Sequence, residues 1–333
     1  MTTTRLTIEE ATALVVETLL RCRTSQDNAQ SVASALVGAE LAGQAGHGLR
    51  RVPAYSAQAL AGKVDGMATP EATQTRPGAL AVDAAHGFAY PALDLAVEWL
   101  PAAARGQGIV IAGISRSHHS GVTGLVVERL AEAGVAGLMV ANSPAAMAPW
   151  GGKRPLFGTN PIAFAAPLAG ADPIIVDVSL SKVARGKIMA AEQKGTSIPE
   201  GWALDRSGNP TTDPTEALAG TMVPMGEAKG TALAIMVEML CAGLTGANYA
   251  YDATSFFDAK GSPPGTGQTV IAIDPEAFGP GATARFAQMA RLIEETEGAR
   301  LPGRRRQALK REMVRDGIAV DSDLLERIRS IGR

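Results

Sequence analysis

Between residues 80 and 141 the chain alternates short apolar runs with longer stretches of helical period, a pattern that restricts it to an α/β architecture. Residues 80–83, 109–114 and 137–141 read as strands, and residues 93–104 and 123–133 as the helices between them. Apolar, partly β-branched runs at 162–166, 174–178 and 270–273 extend the sheet. Residues 228–244 form a long, almost wholly apolar segment that predicts a buried helix, and 257–268 reads as a loop. A dinucleotide turn of Rossmann type needs its glycines after a strand and before a helix. Here Gly106-Gln107-Gly108 follows a helix and precedes a strand, the opposite order.

The two ends of the chain are helical. Thr7 and Glu10 have capping-box spacing ahead of Ala11, Leu14, Val15 and Leu19. Residues 25–43 repeat the pattern, the chain turns at 44–48, and a further helix with Pro53 in its first turn runs from near Leu49 to about Gly62. Residues 281–297, 304–316 and 322–331 predict three more helices. The expected organisation is one interwoven structure: a helical domain from 1–78 plus 280–333, and a central sheet domain from 79–279.

Composition narrows the function. A formal charge of -2 provides no field for nucleic acid or an anionic membrane, and 4% aromatic residues leave few platforms for stacking bases. The N-terminal segment interrupts its apolar residues with acids, and no window reaches a membrane-spanning length, so a cytoplasmic protein is expected. Cys22 and Cys241 lie far apart in apolar patterns, which fits a reducing compartment. The four histidines, His47, His86, His118 and His119, have no metal-ligand spacing, so no metal site is expected. Gly226 and Lys229 do not form a P-loop, and no serine occupies a nucleophile elbow.

The segment Gly46-His47-Gly48-Leu49-Arg50-Arg51 places an imidazole four positions before a guanidinium. Reduction of a carbon beside a carboxylate needs a proton donor and a fixed cation, which histidine and arginine supply. The same residues also suit a helix-capping histidine beside a surface arginine. Together with HGLRRVPAY, the runs SRSHHSGVTG, NSPAAMAPWGGKRPLFGTNPIAFAAP, DVSLSKVARGKI, IPEGWALDRSGNPTTDP and MGEAKG make the chain resemble the malate/L-lactate dehydrogenase family of the non-Rossmann type, from about residue 5 to 330. That family includes sulfolactate, ureidoglycolate and diketogulonate dehydrogenases and reductases of Δ1-piperideine- and Δ1-pyrroline-2-carboxylate.

The resemblance implies a non-Rossmann, largely antiparallel mixed sheet that binds the cofactor, and a homodimer with its active site near the subunit interface. It implies His47 as proton donor, Arg51 as carboxylate clamp, and Thr159, Arg185 and Gly186 as substrate contacts. His119, Ser120, Gly121, Val122 and Thr123 match a cofactor segment at a helix start, where small residues would let phosphate approach the backbone. Asp177, Val178 and Ser179, then Lys229 and Gly230, then Pro302, Gly303 and Arg304 match three further cofactor segments. The run Arg304-Arg305-Arg306 favours NADPH over NADH.

Besides Arg304, which stands where the family commonly has glutamate, three positions depart from the family pattern. Ser120 replaces a phenylalanine, Gly46 stands where a serine usually precedes the donor, and Lys187 occupies the place of an acid found in the cyclic-imine reductases. The last two favour a small 2-oxo acid, reduced at C2 to the 2-hydroxy acid, over Δ1-pyrroline- or Δ1-piperideine-2-carboxylate. A third reading is an inactive nucleotide-binding sensor.

Overall fold

The computed structural model describes residues 2–333; Met1, the first residue of the expected helical domain, lies outside them. The Thr7–Glu10 capping box is formed, with Glu10 N–H donating to Thr7 Oγ1 at 3.1 Å and Thr7 N–H donating to Glu10 Oε2 at 2.8 Å. It starts α1 (Ile8–Leu20), whose buried Ala11, Val15 and Leu19 pack on α2 (Gln26–Leu41). Two 3-10 turns, Ala45–His47 and Leu49–Arg51, then lead into α3 (Val52–Ala61), which ends at Gly62 with φ 74°.

The chain ends meet directly. Strand β1 (Thr3–Leu6) pairs antiparallel with β12 (Ile318–Asp321), just ahead of α11 (Ser322–Ser330). Leu6, Leu19, Leu36, Tyr55, Ile318 and Ile328 share one core. The short, largely exposed strand β1 carries too little apolar alternation to be read from sequence.

Seven strands form the main sheet, in the order β2 (Glu71–Arg76), β3 (Ala79–Asp83), β4 (Ile109–Ser117), β11 (Thr266–Ile273), β5 (Ala136–Ala141), β6 (Ile162–Leu168) and β7 (Ala171–Val178). Only β3 and β4 run parallel; every other neighbouring pair is antiparallel. This is the largely antiparallel mixed sheet that the resemblance implies. Helices α4 (Ala89–Gln107) and α5 (Thr123–Glu132) cover one face, packing Leu93, Leu100, Val127 and Leu130 on Ile114, Met139 and Val270. Gly106-Gln107-Gly108 closes α4 and enters β4 in the order read from sequence.

The opposite face receives α8 (Ala228–Glu238) and a π turn at Met239–Gly243. The expectation of one long buried helix over 228–244 is corrected on both counts. The α-helix gives way to a π turn, because the backbones of the turn and β11 are in close contact. A Cβ on Gly267 would lie 2.0 Å from Cys241 O, and Thr269 Oγ1 donates to Leu240 O at 2.7 Å. Ala234, Val237 and Cys241 are buried, while Met239 is 52% and Leu244 69% exposed. The expected loop at 257–268 also ends early, since β11 begins at Thr266.

A smaller unit carries α6 (Arg185–Lys194), β8 (Ala203–Leu204), β9 (Pro210–Thr211), α7 (Pro214–Ala219) and β10 (Thr221–Met222), its strands ordered β10-β8-β9. Helix α9 (Ala282–Glu295) packs on β6, and α10 (Arg304–Asp316) reaches α2. Among the described residues no helix is long and apolar enough to cross a membrane. No group of histidine, cysteine and acidic side chains there could hold a metal ion. Cys22 and Cys241 are buried and free.

The Gly267 contact makes a direct test of this packing. Gly267→Ala should destabilise the fold by at least about 1–3 kcal/mol, because its methyl group overpacks rigid backbone. An unchanged urea midpoint would show that the π turn does not bear on β11 in this way.

Candidate active site

The segment following β7 brings the dispersed motifs together. Asp177 Oδ1 accepts from Thr123 Oγ1 at 2.9 Å, and Oδ2 accepts from Gly124 N–H at 3.0 Å. Leu180 N–H donates to Thr159 O at 2.8 Å, while Leu180 O accepts from Met225 N–H at 2.7 Å. Gly230 opens α8 against that same Met225, where a Cβ would lie 2.1 Å from its carbonyl oxygen. Gly303 lies against Ile175 of β7, so a Cβ there would be 3.3 Å from the isoleucine side chain. Residues 119–123, 177–179 and 229–230, with Thr159, therefore gather near the Val178 end of β7, and 302–304 lie along its middle. Lys229 is exposed there, as is Arg305.

Contacts within the chain shape these motifs. At the start of α5 the Asp177 carboxylate accepts from the Gly124 amide. Gly121, at φ 66°, makes room for a side chain: a Cβ would stand 2.7 Å from Tyr90 Oη. The arginine run is also largely paired. Arg304 Nε donates to Glu294 Oε1 at 2.6 Å, and Arg306 pairs with the buried Glu128. Ser120 and Val122 are buried, Ser179 Oγ lies 2.6 Å from Ser181 Oγ, and Val178 and Pro302 are exposed.

His47 closes the first 3-10 turn, and buried Glu40 fixes the second by accepting from Leu49 N–H at 2.8 Å. Gly48 is required by this contact, since its Cβ would meet Glu40 Oε1 at 2.3 Å. Burial holds the Glu40 carboxyl above its usual range. The His47 ring stacks on His119 with centroids 5.1 Å apart, and His47 Nδ1 lies 3.2 Å from His119 Nε2. On the far side of His119, Nδ1 lies 2.6 Å from Tyr55 Oη, which in turn lies 3.0 Å from Tyr90 Oη. Burial, reinforced by the charge of Arg51, lowers His47 to about 4. The same causes hold His119 well below its ordinary value, and burial takes His118 to about 3. Tyr55 is pushed up to about 12 by burial.

Arg51 Nε donates to Gly46 O at 2.8 Å, and the guanidinium carbon stands 4.5 Å from the Phe257 ring centroid. Its Nη1 is buried with no hydrogen-bond partner, a costly arrangement that an arriving anion would relieve. Phe256 packs on His118 and His119 with ring centroids 5.2 Å away in each case. The segment carrying both phenylalanines is tied to α3. Gln58 Nε2 donates to Phe256 O at 3.0 Å, and buried Lys63 donates to Ser255 O at 2.7 Å and Asp258 O at 3.0 Å. Sequence reasoning assigned no role to Tyr55, Gln58, Lys63, Tyr90 or His118, although Tyr55 lies within HGLRRVPAY and His118 within SRSHHSGVTG.

Arg185 opens α6, half-buried and with no ion pair among the described residues; burial lowers its pKa. Gly186 beside it is exposed, and no hydrogen bond or ion pair joins Arg185 to His47 or Arg51 among the described residues. Behind Thr159, Asn160 Nδ2 donates to Glu238 Oε1 at 2.8 Å and fastens the Gly158–Asn160 turn to α8. Burial holds the Glu238 carboxyl above its usual range.

These features define an α/β protein with a non-Rossmann sheet, a neutral histidine four residues before a guanidinium with an unpartnered Nη1, and dispersed segments gathered along one strand. The malate/L-lactate dehydrogenase family matches residues 6–329, and the chain belongs to that family. It is 50% identical to a (2R)-3-sulfolactate dehydrogenase (NADP(+)) of Chromohalobacter salexigens, over 92% of each chain. It is 39% identical to a Δ1-pyrroline-2-carboxylate/Δ1-piperideine-2-carboxylate reductase of Pseudomonas putida, covering 99% of this chain and 97% of that one. A solved Δ1-piperideine-2-carboxylate reductase of Pseudomonas syringae superposes with a TM-score of 0.93 at 35% identity, over 98% of this chain and 99% of that one.

The histidines make a pH prediction. An imidazole whose pKa is lowered on folding stabilises the fold above its unfolded value and loses that contribution as pH falls toward the folded value. Removing buried His118 therefore removes one such loss. From pH 6.5 to 5 the stability difference should move in favour of His118→Asn by up to about 1.4 kcal/mol per pH unit. Chemical denaturation at the two pH values measures it, and an unchanged difference would contradict a neutral, buried His118.

Proposed function

We propose that the chain is an NADPH-dependent oxidoreductase that reduces C2 of a small 2-oxo acid to the 2-hydroxy acid, and catalyses the reverse oxidation. The observation that carries this reading is His47 beside Arg51, whose buried Nη1 lacks a partner. The arrangement supplies a proton-handling group and an anion clamp within one turn of chain. Arg185, without an acidic partner, is assigned a second anionic group, and the similarity to a sulfolactate dehydrogenase supports a substrate bearing two acids. Thr159 and Gly186 are assigned to the same substrate.

The cofactor fits the converging segments on this chain. Bound NADPH supplies the hydride for C2. His119–Thr123, Asp177–Ser179, Lys229, Gly230 and Pro302–Arg304 are assigned to holding it, with exposed Lys229 available for phosphate or ribose. The NADP(+) in the name of the 50% identical relative supports NADPH over NADH. His47 donates through Nε2, because its Nδ1 faces His119. Arg51 keeps the substrate carboxylate still while the proton moves.

A second reading, reduction of Δ1-pyrroline- or Δ1-piperideine-2-carboxylate, is supported by the 39% identical relative and by the superposition on the piperideine enzyme. Gly46 and exposed Lys187 favour the 2-oxo acid. The domain division is proposed on the same reading, residues 1–78 and 280–333 presenting His47 and residues 79–279 binding the cofactor, except that β2 (Glu71–Arg76) joins the sheet and Pro302–Arg304 lies against β7. Cytoplasmic residence suits the two free, buried cysteines.

Consumption of NADPH and NADH with pyruvate, oxaloacetate, sulfopyruvate and the two cyclic imino acids tests the assignment. Turnover of a 2-oxo acid is expected; turnover of the cyclic imines alone would replace the first reading with the second. His47→Ala should lower turnover by at least about a hundredfold while cofactor affinity holds. Near-normal turnover would remove His47 from its role.

We also propose a homodimer across the apolar face at α8. Leu233, Ile235, Met236, Met239 and Leu244 are all exposed there, a patch of the kind that interfaces cover. Light scattering should show a dimer that Met239→Glu with Leu244→Glu converts to monomer. A monomeric parent chain would contradict this.

A further inference from the structure

The family's usual relay hydroxyl before the donor is replaced by Gly46, yet His47 is not alone. Its Nδ1 begins an unbroken hydrogen-bonded series: His119 at 3.2 Å, Tyr55 at 2.6 Å and Tyr90 at 3.0 Å. Tyr90 lines a cavity of about 340 Å³ bordered by Ser31, Asp94, Glu128, Arg306 and Lys310, with room for water. Resting on the oxidoreductase reading above, we infer that Tyr55 and Tyr90 are positioning residues that keep His47 neutral as its Nε2 gives up a proton, by passing one drawn from this cavity through His119 to its Nδ1.

A neutral His47 that carries its proton on Nε2 for the substrate fixes one orientation of the series. Tyr90 donates to Tyr55, Tyr55 donates to His119 Nδ1, and His119 Nε2–H donates to His47 Nδ1, which leaves His47 Nε2–H for the substrate. When that proton passes to the C2 oxygen as hydride reaches C2, the His119 Nε2 proton moves to His47 Nδ1. The Tyr55 proton then moves to His119 Nδ1 and the Tyr90 proton to Tyr55 Oη, and Tyr90 takes a proton from cavity water in exchange with solvent. One proton enters for each that leaves, and no ring is left charged. His47 now holds its proton on Nδ1, and the series resets after product release, when water in the open site protonates Nε2 and the shifts run back until Tyr90 returns a proton to the cavity. The concerted path avoids both an imidazolate at His47 and a buried imidazolium beside Arg51, each costly in this setting. The other charged or titratable groups around the series, Arg51, His118 and Lys63, lie outside its hydrogen bonds. Phe88 packs on Tyr55 and supplies no polar group.

Single-turnover reduction of the accepted substrate, monitored in mixtures of H2O and D2O, tests the series. The parent enzyme should give a bowed dependence of rate on deuterium fraction, the sign of several protons in flight. Tyr90→Phe keeps the ring and loses only the hydroxyl. It should slow the step by at least about tenfold, straighten the dependence, and leave NADPH affinity within about twofold. Tyr55→Phe should do the same and serves if the first variant folds poorly. A straight dependence in the parent enzyme, or full rates in both variants, would overturn the relay alone. A parent enzyme inert toward every 2-oxo and imino acid would overturn the functional reading and the relay with it.

Discussion

The contact between His47 and His119 joins the two halves of the molecule. His47 comes from the helical layer that the chain ends close together, and His119 lies just past the inner strand β4 of the sheet. Stacking at 5.1 Å requires both rings to be largely withdrawn from water, and that withdrawal keeps both imidazoles neutral. Every other feature of the site answers to this pair. Glu40 sets the backbone on one side, Gly121 makes room for Tyr90 on the other, and Phe256 seals the edge.

Neutrality changes the chemistry open to the site. An imidazolium near Arg51 would be disfavoured by desolvation and by charge, so proton donation has to draw on hydrogen bonds already in place. An anion bound to Arg51 offsets part of that field, which ties proton handling to substrate occupancy. The Arg51–Phe257 contact and the Lys63 anchor hold the guanidinium and its covering loop before the substrate arrives.

Much of the fold was legible because it rests on local rules. The capping box at Thr7, the proline in the first turn of α3 and the short apolar runs of β4 and β5 each carry their own signal. What escaped depends on distant partners. Strand β12 exists to pair with β1, and the π turn after α8 is shaped by its close approach to Gly267. Exposure of Met239 and Leu244 likewise cannot be read from an apolar sequence, which is the same whether a helix meets its own core or another surface. In the site, the resemblance located His47, Arg51 and His119. Tyr55 and Tyr90, 35 positions apart, and Gln58 and Phe256, 198 apart, came together only through packing.

The central claim is that hydride reaches the carbon beside a carboxylate while His47 serves the oxygen. Reduction of sulfopyruvate with NADPH carrying deuterium at the transferred C4 position, with proton NMR of the product, tests it most directly. The account predicts deuterium at C2 of the hydroxy acid and none elsewhere. A hydroxy acid without deuterium at C2, or no hydroxy acid at all, would contradict it.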